Sequence, residues 1–447
     1  MERMTVPPGD RADRAQPGRS RRRLTATVTD LQVVRQRAYL VGVVLGDADR
    51  IEAEHSLVEL ALLTDTAGSD PVQSVLVRRD HADPARLIGS GKAAEIAAEV
   101  AALDVDVVVF DNELSPAQQR NLQQAFHVDV VDRVALILDI FAQHATSHEG
   151  RIQVELAQHR YRLPRLRGRG VEMSRLGAGI NTRGPGETKL ETDRRRILER
   201  VSKLEGELAT IRQARATNAK ARRRSEIPVV SLVGYTNAGK STLFNRLTEA
   251  GVLVEDRLFA TLDSTVRRLA LPGGKPVLVS DTVGFVRRLP HQLVEAFRST
   301  LEEVAQSALL VHVVDASSPD PDGQIDAVHV VLRQIGAGTV DELLVVNKTD
   351  VADPVMVDRL LALHPGAVAV SAASGDGMDR LLDAVAASLE GATTLVDLVV
   401  PYDRGDVVAR LHEMGDVVGE DHVPTGTRLR VKLPKLDADR FVDYQAT

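Results

Sequence analysis

The stretch that decides the fold is Val229-Val230-Ser231-Leu232-Val233 running into Gly234-Tyr235-Thr236-Asn237-Ala238-Gly239-Lys240-Ser241. The apolar run predicts a buried strand, and Leu243, Phe244 and Leu247 predict a helix after the glycine-rich segment. This spacing in a strand–loop–helix context is a P-loop, whose backbone N–H groups and helix N-terminus hold phosphates. We expect Lys240 to reach the β- and γ-phosphates of a nucleotide and the Ser241 hydroxyl to ligate Mg²⁺.

A second apolar strand, Val277-Leu278-Val279-Ser280, ends in Asp281-Thr282-Val283-Gly284. The Asp281 carboxylate is predicted to support the magnesium shell, directly or through water. Gly284 can offer its N–H to the γ-phosphate, because glycine brings no side chain that would clash. This aspartate and glycine are weak signals alone, but behind a P-loop they indicate a nucleoside triphosphatase.

The base is chosen by Asn347-Lys348-Thr349-Asp350, which follows an apolar strand. The Asp350 carboxylate can accept from N1–H and the N2 amino group of guanine, with Lys348 over the ring. Adenine has neither donor, so the carboxylate would stay unpaired at a cost of about 1–3 kcal/mol. Ser371-Ala372-Ala373 can place a backbone N–H on guanine O6. The motifs predict a GTPase and disfavour an ATPase that remodels RNA.

Phe259-Ala260-Thr261-Leu262-Asp263-Ser264-Thr265 lies where the first switch segment is expected. Thr261 and Thr265 are both candidate magnesium ligands, and their spacing does not separate them. The predicted nucleotide-binding residues are Gly234, Tyr235, Thr236, Asn237, Ala238, Gly239, Lys240, Ser241, Thr242, Phe259, Ala260, Thr261, Leu262, Asp263, Asp281, Thr282, Val283, Gly284, Asn347, Lys348, Thr349, Asp350, Ser371, Ala372 and Ala373.

The predicted fold class is α/β, and the chain divides into five segments. Residues 1–23 predict a disordered basic arm, and residues 24–150 a small α/β domain with a parallel sheet. Residues 151–224 predict a helical hairpin with a glycine- and arginine-rich loop. Residues 225–390 form the predicted P-loop GTPase domain, and residues 394–447 a small α+β domain.

The hairpin prediction rests on a heptad pattern. Apolar residues recur at seven-residue steps at Leu190, Ile197, Leu204 and Ile211, with Val201 and Leu208 at the second seam position. The connecting loop is expected to run from Gly168-Arg169-Gly170 to Gly184-Pro185-Gly186. Its arginines Arg167, Arg169, Arg175 and Arg183 lack aromatic neighbours, which fits contacts to the backbone of structured RNA. The alternative is a solvated, charged hairpin.

The composition narrows the remaining classes of protein. The net charge is −7 and there is no cysteine, so a uniformly basic surface, a disulfide framework and a thiolate zinc site are excluded. An apolar run of about 18 residues is absent, and charged residues near the N-terminus leave no signal peptide. We expect a cytoplasmic monomer without a membrane span.

Nearly the whole chain after the basic arm resembles the HflX family of translational GTPases. Beyond the common GTPase motifs, the resemblance rests on Gly184-Pro185-Gly186-Glu187-Thr188-Lys189-Leu190-Glu191, Phe110-Asp111-Asn112-Glu113-Leu114-Ser115 and Phe259-Ala260-Thr261-Leu262-Asp263. It implies a GTP and GDP cycle on the large (50S) ribosomal subunit that splits or rescues stalled ribosomes. It also implies that the hairpin loop approaches ribosomal RNA near the peptidyl transferase centre. Finally, it favours Thr261 as the magnesium ligand, which makes Lys240, Thr261 and Gly284 the catalytic candidates.

The residue after Gly284 separates this chain from Ras-like enzymes, where a glutamine orients the attacking water. Phe285 cannot hydrogen-bond to water, so we predict slow intrinsic hydrolysis that a partner stimulates. Asn237 raises a second hypothesis, that K⁺ is held beside the phosphates, although an asparagine can also simply brace the loop. The alternative function is a GTP-dependent switch in large-subunit assembly, which docks without splitting.

Overall fold

The computed structural model describes residues 35–46, 49–166, 185–223, 227–248, 258–259, 265–287, 293, 297–391, 393–434 and 438–445. Gln36–Thr447 form one compact unit. The predicted basic arm lies outside the described residues. The predicted α/β fold class is confirmed, with sheets of four, six and three strands among the described residues. No described helix is both long enough and apolar enough to cross a membrane.

The first sheet has the order β2-β1-β3-β4, and its paired strands run parallel, as predicted. Its strands are β1 (Gln36–Leu45), β2 (Ser69–Arg79), β3 (Val107–Phe110) and β4 (Asp129–Asp132). The helices around it are α1 (Arg50–Thr66), α2 (Ser90–Ala102), α3 (Pro116–Phe126) and α4 (Arg133–His144). The predicted strand pattern omits β2, which contains Pro71 and lies at the sheet edge, where a missing N–H is tolerated.

The hairpin consists of α5 (His148–Arg165) and α6 (Pro185–Arg223). Ile152 and Leu156 of α5 pack with Leu204 and Leu208 of α6, which confirms that the heptad pattern forms a helix-to-helix seam. The predicted loop was too long at its C-terminal end, because α6 already begins at Pro185. Proline suits a first helical position, since its fixed φ angle is helical and its missing N–H would have no partner there.

The second sheet has the order β10-β9-β8-β5-β7-β6. Its strands are β5 (Val229–Gly234), β6 (Thr265–Ala270), β7 (Pro276–Asp281), β8 (Leu309–Asp315), β9 (Glu342–Asn347) and β10 (Val368–Ala369). Its helices are α7 (Lys240–Thr248), α8 (Arg298–Ala305), α9 (Pro321–Gln334), α10 (Pro354–Leu363) and α11 (Met378–Gly391). Because β5, β7, β8 and β9 run parallel, their carboxyl ends meet at one edge, where ligands of such sheets bind.

The C-terminal segment is an antiparallel sheet of order β11-β13-β12. It contains β11 (Thr393–Val400), α12 (Gly405–Met414), β12 (Asp416–Val423), β13 (Gly426–Pro434) and a 3₁₀ helix (Asp439–Tyr444). These elements agree with the α+β class predicted for residues 394–447. In strand β12 a glycine and charged residues interrupt the apolar alternation that marks a strand in the sequence.

One apolar cluster joins the first sheet to the second. The Phe141 ring of α4 lies edge-on to Phe259, with ring centroids 4.7 Å apart, and to Phe297, with centroids 5.2 Å apart. The same cluster includes Val233, at the end of β5, and Phe285. Phe259, the first residue of the predicted first switch, and Phe285 therefore both pack against the N-terminal half of the chain.

Candidate nucleotide-binding site

The P-loop lies between β5 and α7, and two of its glycines are required by close contacts. A Cβ atom on Gly234 would lie 2.3 Å from the Val313 carbonyl oxygen, and one on Gly239 would lie 2.3 Å from Asn347 Nδ2. Gly239 also has a φ of 93°, and Asn237 has a φ of 60°. Glycine and asparagine are the residues that adopt such left-handed conformations most readily. The loop backbone can therefore curl as phosphate binding requires.

Lys240 is buried at the start of α7, where its Nζ donates to the carbonyl oxygens of Gly234 at 3.1 Å and Tyr235 at 2.7 Å. Burial lowers the pKa of the Lys240 ammonium to about 8, although the Asp281 carboxylate opposes this shift. A partly desolvated ammonium in a phosphate cradle gains strongly from an added anion. Its position suits contact with the phosphates of a nucleotide.

Ser241 and Asp281 bring oxygen ligands together beside the P-loop. The Ser241 hydroxyl donates to Asp281 Oδ2 at 2.7 Å, and Asp281 is fully buried at the end of β7. Hydroxyl and carboxylate oxygens form the donor set that Mg²⁺ prefers, so these residues fit the ion. Thr265 begins β6 and pairs with Asp281 in the sheet. Thr261 lies outside the described residues.

Residues 282–287, which follow β7 and are called the second switch segment below, are attached to the P-loop at Gly284 and Phe285. A Cβ atom on Gly284 would lie 2.8 Å from Thr236 Cγ2 and 3.0 Å from Lys240 Nζ, so only glycine fits without a shift. Thr236 N donates to the Phe285 carbonyl at 2.7 Å, and Phe285 N donates to the Gly234 carbonyl at 3.1 Å. The Phe285 side chain is 1% exposed. It packs in the core and supplies no polar group to the site.

Asn347 links the loops expected to hold the base. Its Nδ2 donates to the Ala238 carbonyl at 2.8 Å, and its Oδ1 accepts from Ala372 N at 3.0 Å. Nearby, the Ser371 hydroxyl donates to Asp350 Oδ1 at 2.7 Å, which orients the carboxylate predicted to read guanine. Lys348 has a φ of 63°. Hydrogen bonds of Asn347 thus connect the P-loop at Ala238 with the loop that contains Ser371 and Ala372.

The structure also adds polar groups that the motif analysis missed. Arg246 of α7 donates to the carbonyl of Ala372 at 3.3 Å and also to that of Ala373. Lys348 Nζ forms an ion pair with Asp315 Oδ2 at 2.8 Å. Arg246 lies about one helical turn beyond the P-loop, and Asp315 ends β8. Neither residue belongs to a sequence motif of GTPases, and both contact the loops that follow β9 and β10.

Most predicted site residues are described and lie at this edge, including Thr242, Thr282, Val283 and Thr349. Phe259 is described as well, but its side chain packs on Phe141. Others lie outside the described residues, namely Ala260, Thr261, Leu262, Asp263, Arg167, Arg169, Arg175 and Arg183. The nucleotide-, metal- and RNA-binding roles assigned from the sequence stay predictions for all of these residues, described or not.

A separate cluster of metal-capable side chains is formed by strands β8 and β9 of the second sheet and helix α9. His312 Nδ1 is 2.7 Å from Glu342 Oε1, and His329 Nε2 is 3.0 Å from Glu342 Oε2. Burial raises the pKa of the Glu342 carboxyl, but hydrogen bonds from the two histidines outweigh it and hold the pKa at about 2. Burial lowers the pKa of His312. The carboxylate thus bridges β8, α9 and β9 by hydrogen bonds.

Four family models of known proteins together match most of the chain from residue 54 to residue 443. Residues 54–142 match the GTP-binding GTPase N-terminal family, 144–222 its middle region, 229–348 the 50S ribosome-binding GTPase family and 357–443 the HflX C-terminal domain. The GTPase HflX of Lacrimispora saccharolytica is 43% identical over 405 residues, which are 91% of this chain and 95% of the relative. The GTPase HflX of Escherichia coli (strain K12) is 42% identical over 388 residues, which are 86% and 91% of the two chains.

Among solved structures, a GTP-binding protein from the archaeon Sulfolobus solfataricus in complex with GDP is similar to this chain at a TM-score of 0.40 and 23% identity. The match covers 79% of this chain and 98% of that one.

The fold and the site define a P-loop GTPase. The P-loop, the end of β7 at Asp281 and the loop from Asn347 to Asp350, predicted to bind guanine, meet at one edge of the sheet. With 43% identity to a curated relative across 91% of its length, the chain belongs to the HflX family of GTPases. It is a GTP hydrolase, as predicted.

Proposed function

We propose that GTP and Mg²⁺ bind at the edge between Gly234 and Ala373. The backbone of the P-loop and Lys240 hold the phosphates, and Ser241 and Thr261 ligate the ion with support from Asp281. When bound, Mg²⁺ supplies charge neutralisation at the β- and γ-phosphates. The 2.7 Å hydrogen bond between Ser241 and Asp281 supports this assignment, because it gathers hard oxygen donors beside the buried Lys240 ammonium.

We further propose that a partner completes the catalytic site. The observation that carries this proposal is the burial of Phe285, whose ring is 1% exposed and lies in the apolar cluster with Phe141. A ring held there cannot orient a hydrolytic water, so Phe285 does not take the role of the usual glutamine. Lys240 and Gly284 stabilise phosphate charge, but the water is ordered by a group from outside.

We propose that this partner is the large (50S) ribosomal subunit and that the GTP cycle splits or rescues stalled ribosomes. The match of residues 229–348 to the 50S ribosome-binding GTPase family supports the choice of partner. The arginines Arg167, Arg169, Arg175 and Arg183 are proposed to contact ribosomal RNA through its phosphates. Mutating them together to glutamine should weaken subunit binding and reduce its salt dependence.

Sedimentation of intact ribosomes tests the splitting proposal. Ribosomes are mixed with the protein and GTP, GDP or a non-hydrolysable GTP analogue, and the subunit fraction is measured. Splitting predicts free subunits with GTP and with the analogue, but not with GDP. Binding to the 50S subunit that leaves intact ribosomes associated would support the alternative, an assembly switch, and would contradict splitting.

The proposal also includes a potassium site at Asn237. Asn237, whose φ of 60° places it at the P-loop bend, is proposed to hold K⁺ beside the phosphates. Equal hydrolysis rates in potassium and sodium salts would contradict that role. We also propose that the chain works as a cytoplasmic monomer and that its domains end near residues 150, 224 and 390.

A further inference from the structure

The second P-loop residue, Tyr235, uses its side chain away from the phosphates. Its buried hydroxyl donates to Glu59 Oε1 of α1 at 2.7 Å. The same oxygen accepts from the backbone N–H of Arg287 at 2.8 Å. Burial, followed by the neighbouring Glu59 carboxylate, raises the pKa of the Tyr235 phenol, so it stays a protonated donor. One hydroxyl therefore joins the P-loop, the segment after Gly284 and the N-terminal half.

Glu59 is itself fixed by a buried chain of polar groups. Its second oxygen, Oε2, forms an ion pair with Arg133 Nη2 at 2.8 Å, and Arg133 Nη1 pairs with Asp111 Oδ1 at 2.8 Å. Asp111 Oδ2 accepts from the Ser56 hydroxyl at 2.7 Å. Burial alone would lower the pKa of Arg133, but Glu59 and Asp111 outweigh it and raise the pKa. The Glu59 carboxylate that accepts from Tyr235 is thus held by residues of α1, α4 and the loop after β3.

A second link runs parallel to this one. The Arg287 guanidinium pairs with Asp320, which caps α9, and His55 Nδ1 of α1 lies 3.6 Å from the same carboxylate. Arg287 lies three residues after Gly284. Its backbone N–H donates to the Tyr235 hydroxyl and its guanidinium pairs with Asp320, so both its backbone and its side chain are held. These contacts connect α1 to the segment that follows Gly284.

We infer that Tyr235 is a positioning residue for GTP hydrolysis, which couples the N-terminal half, through Glu59, to the second switch segment. The inference rests on the P-loop assignment in the proposed function. P-loops bind phosphates through the backbone and the lysine. The Tyr235 side chain is therefore not needed for phosphate binding and can link the P-loop to Glu59 and Arg287. Ribosome contacts that shift α1 would alter the position of Gly284 through this hydroxyl.

Steady-state GTP hydrolysis of the full chain tests the inference. Tyr235→Phe removes the hydroxyl and should lower kcat by about tenfold, as expected for one lost buried hydrogen bond, with KM changed less than twofold. Glu59→Ala breaks the same hydrogen bond and also removes the Arg133 ion pair, so it should lower kcat at least as much, and the double variant should be no slower than Glu59→Ala. Glu59→Gln keeps an acceptor and should recover most of kcat relative to Glu59→Ala.

Tyr39→Phe is the matched control, because the Tyr39 hydroxyl also donates to a glutamate, Glu99, at 2.5 Å but lies inside the first sheet. It should leave kcat unchanged. Parental kcat in Tyr235→Phe, or additive effects of the Tyr235 and Glu59 variants, would overturn the inference. Lys240→Ala separates the two claims, since nucleotide binding unaffected by that change would instead overturn the P-loop assignment.

Discussion

Asn347 is joined to Ala238 by a hydrogen bond of 2.8 Å from its side-chain amide to the backbone carbonyl, across 109 positions of the sequence. The amide oxygen of Asn347 accepts from Ala372 N in turn. Asn347 is 1% exposed, so no solvent competes for these bonds. Contacts within the protein therefore hold the phosphate loop and the two base-side loops together, which lowers the cost of ordering them when a nucleotide binds.

Removing this side chain should loosen the whole edge. Asn347→Ala leaves a buried carbonyl and a buried N–H without partners, so we expect the free energy of unfolding to fall by about 1–3 kcal/mol. Urea denaturation measures the loss, and binding of a fluorescent GDP should weaken in parallel. Asn121→Ala is the control, because its amide donates to the Ala85 carbonyl at an exposed position. Equal losses in both variants would contradict the proposed role.

Guanine selection should depend on Asp350. Asp350→Asn replaces an acceptor by an amide that can donate to the O2 of xanthine, so GTP affinity should fall at least about tenfold while xanthosine triphosphate binding improves. Competition against fluorescent GDP gives both affinities. Asp353→Asn serves as control, since Asp353 caps the exposed N-terminus of α10. Unchanged base preference in Asp350→Asn would contradict the assignment.

Lys240 predicts a definite pH dependence of nucleotide binding. Its pKa is about 8 without nucleotide, and phosphate charge stabilises the ammonium and so raises the pKa in the complex. Binding must then take up protons near pH 8, about half a proton per site at that pH, and affinity must fall as pH rises above 8. Calorimetry in buffers of different ionisation enthalpy measures the uptake. Zero uptake at pH 8 would show that the pKa is not lowered.

The ion pairs of Arg133 should dominate the stability of the N-terminal half. Arg133 is 3% exposed, and Arg133→Met would leave the Glu59 and Asp111 carboxylates buried without their cation, at a cost of about 3–5 kcal/mol. Arg430→Met is the control, because the Arg430–Asp397 pair is solvent-exposed and screened. Urea denaturation measures the free energy of unfolding of the two variants. Similarly small decreases in both would contradict a tightly buried network of ion pairs.

Local sequence patterns predicted much of this structure for identifiable reasons. Ser115 and Gln118 form the capping box that their spacing indicates, and the P-loop spacing marks the turn from β5 to α7. Strand β2 escaped the pattern because Pro71 and the polar residues near it interrupt the apolar alternation. The Tyr235–Glu59 contact could not be predicted, since the residues are 176 positions apart and only tertiary packing joins them.

The most direct test of the account is GTP turnover by the purified chain, measured with and without large ribosomal subunits. Because the Phe285 side chain is buried in the core, the residue after Gly284 cannot orient the water in the isolated chain. We predict slow turnover alone and a rise of at least about tenfold with 50S subunits, as expected when a partner supplies a missing catalytic group. Equal rates with and without the subunits would contradict the account.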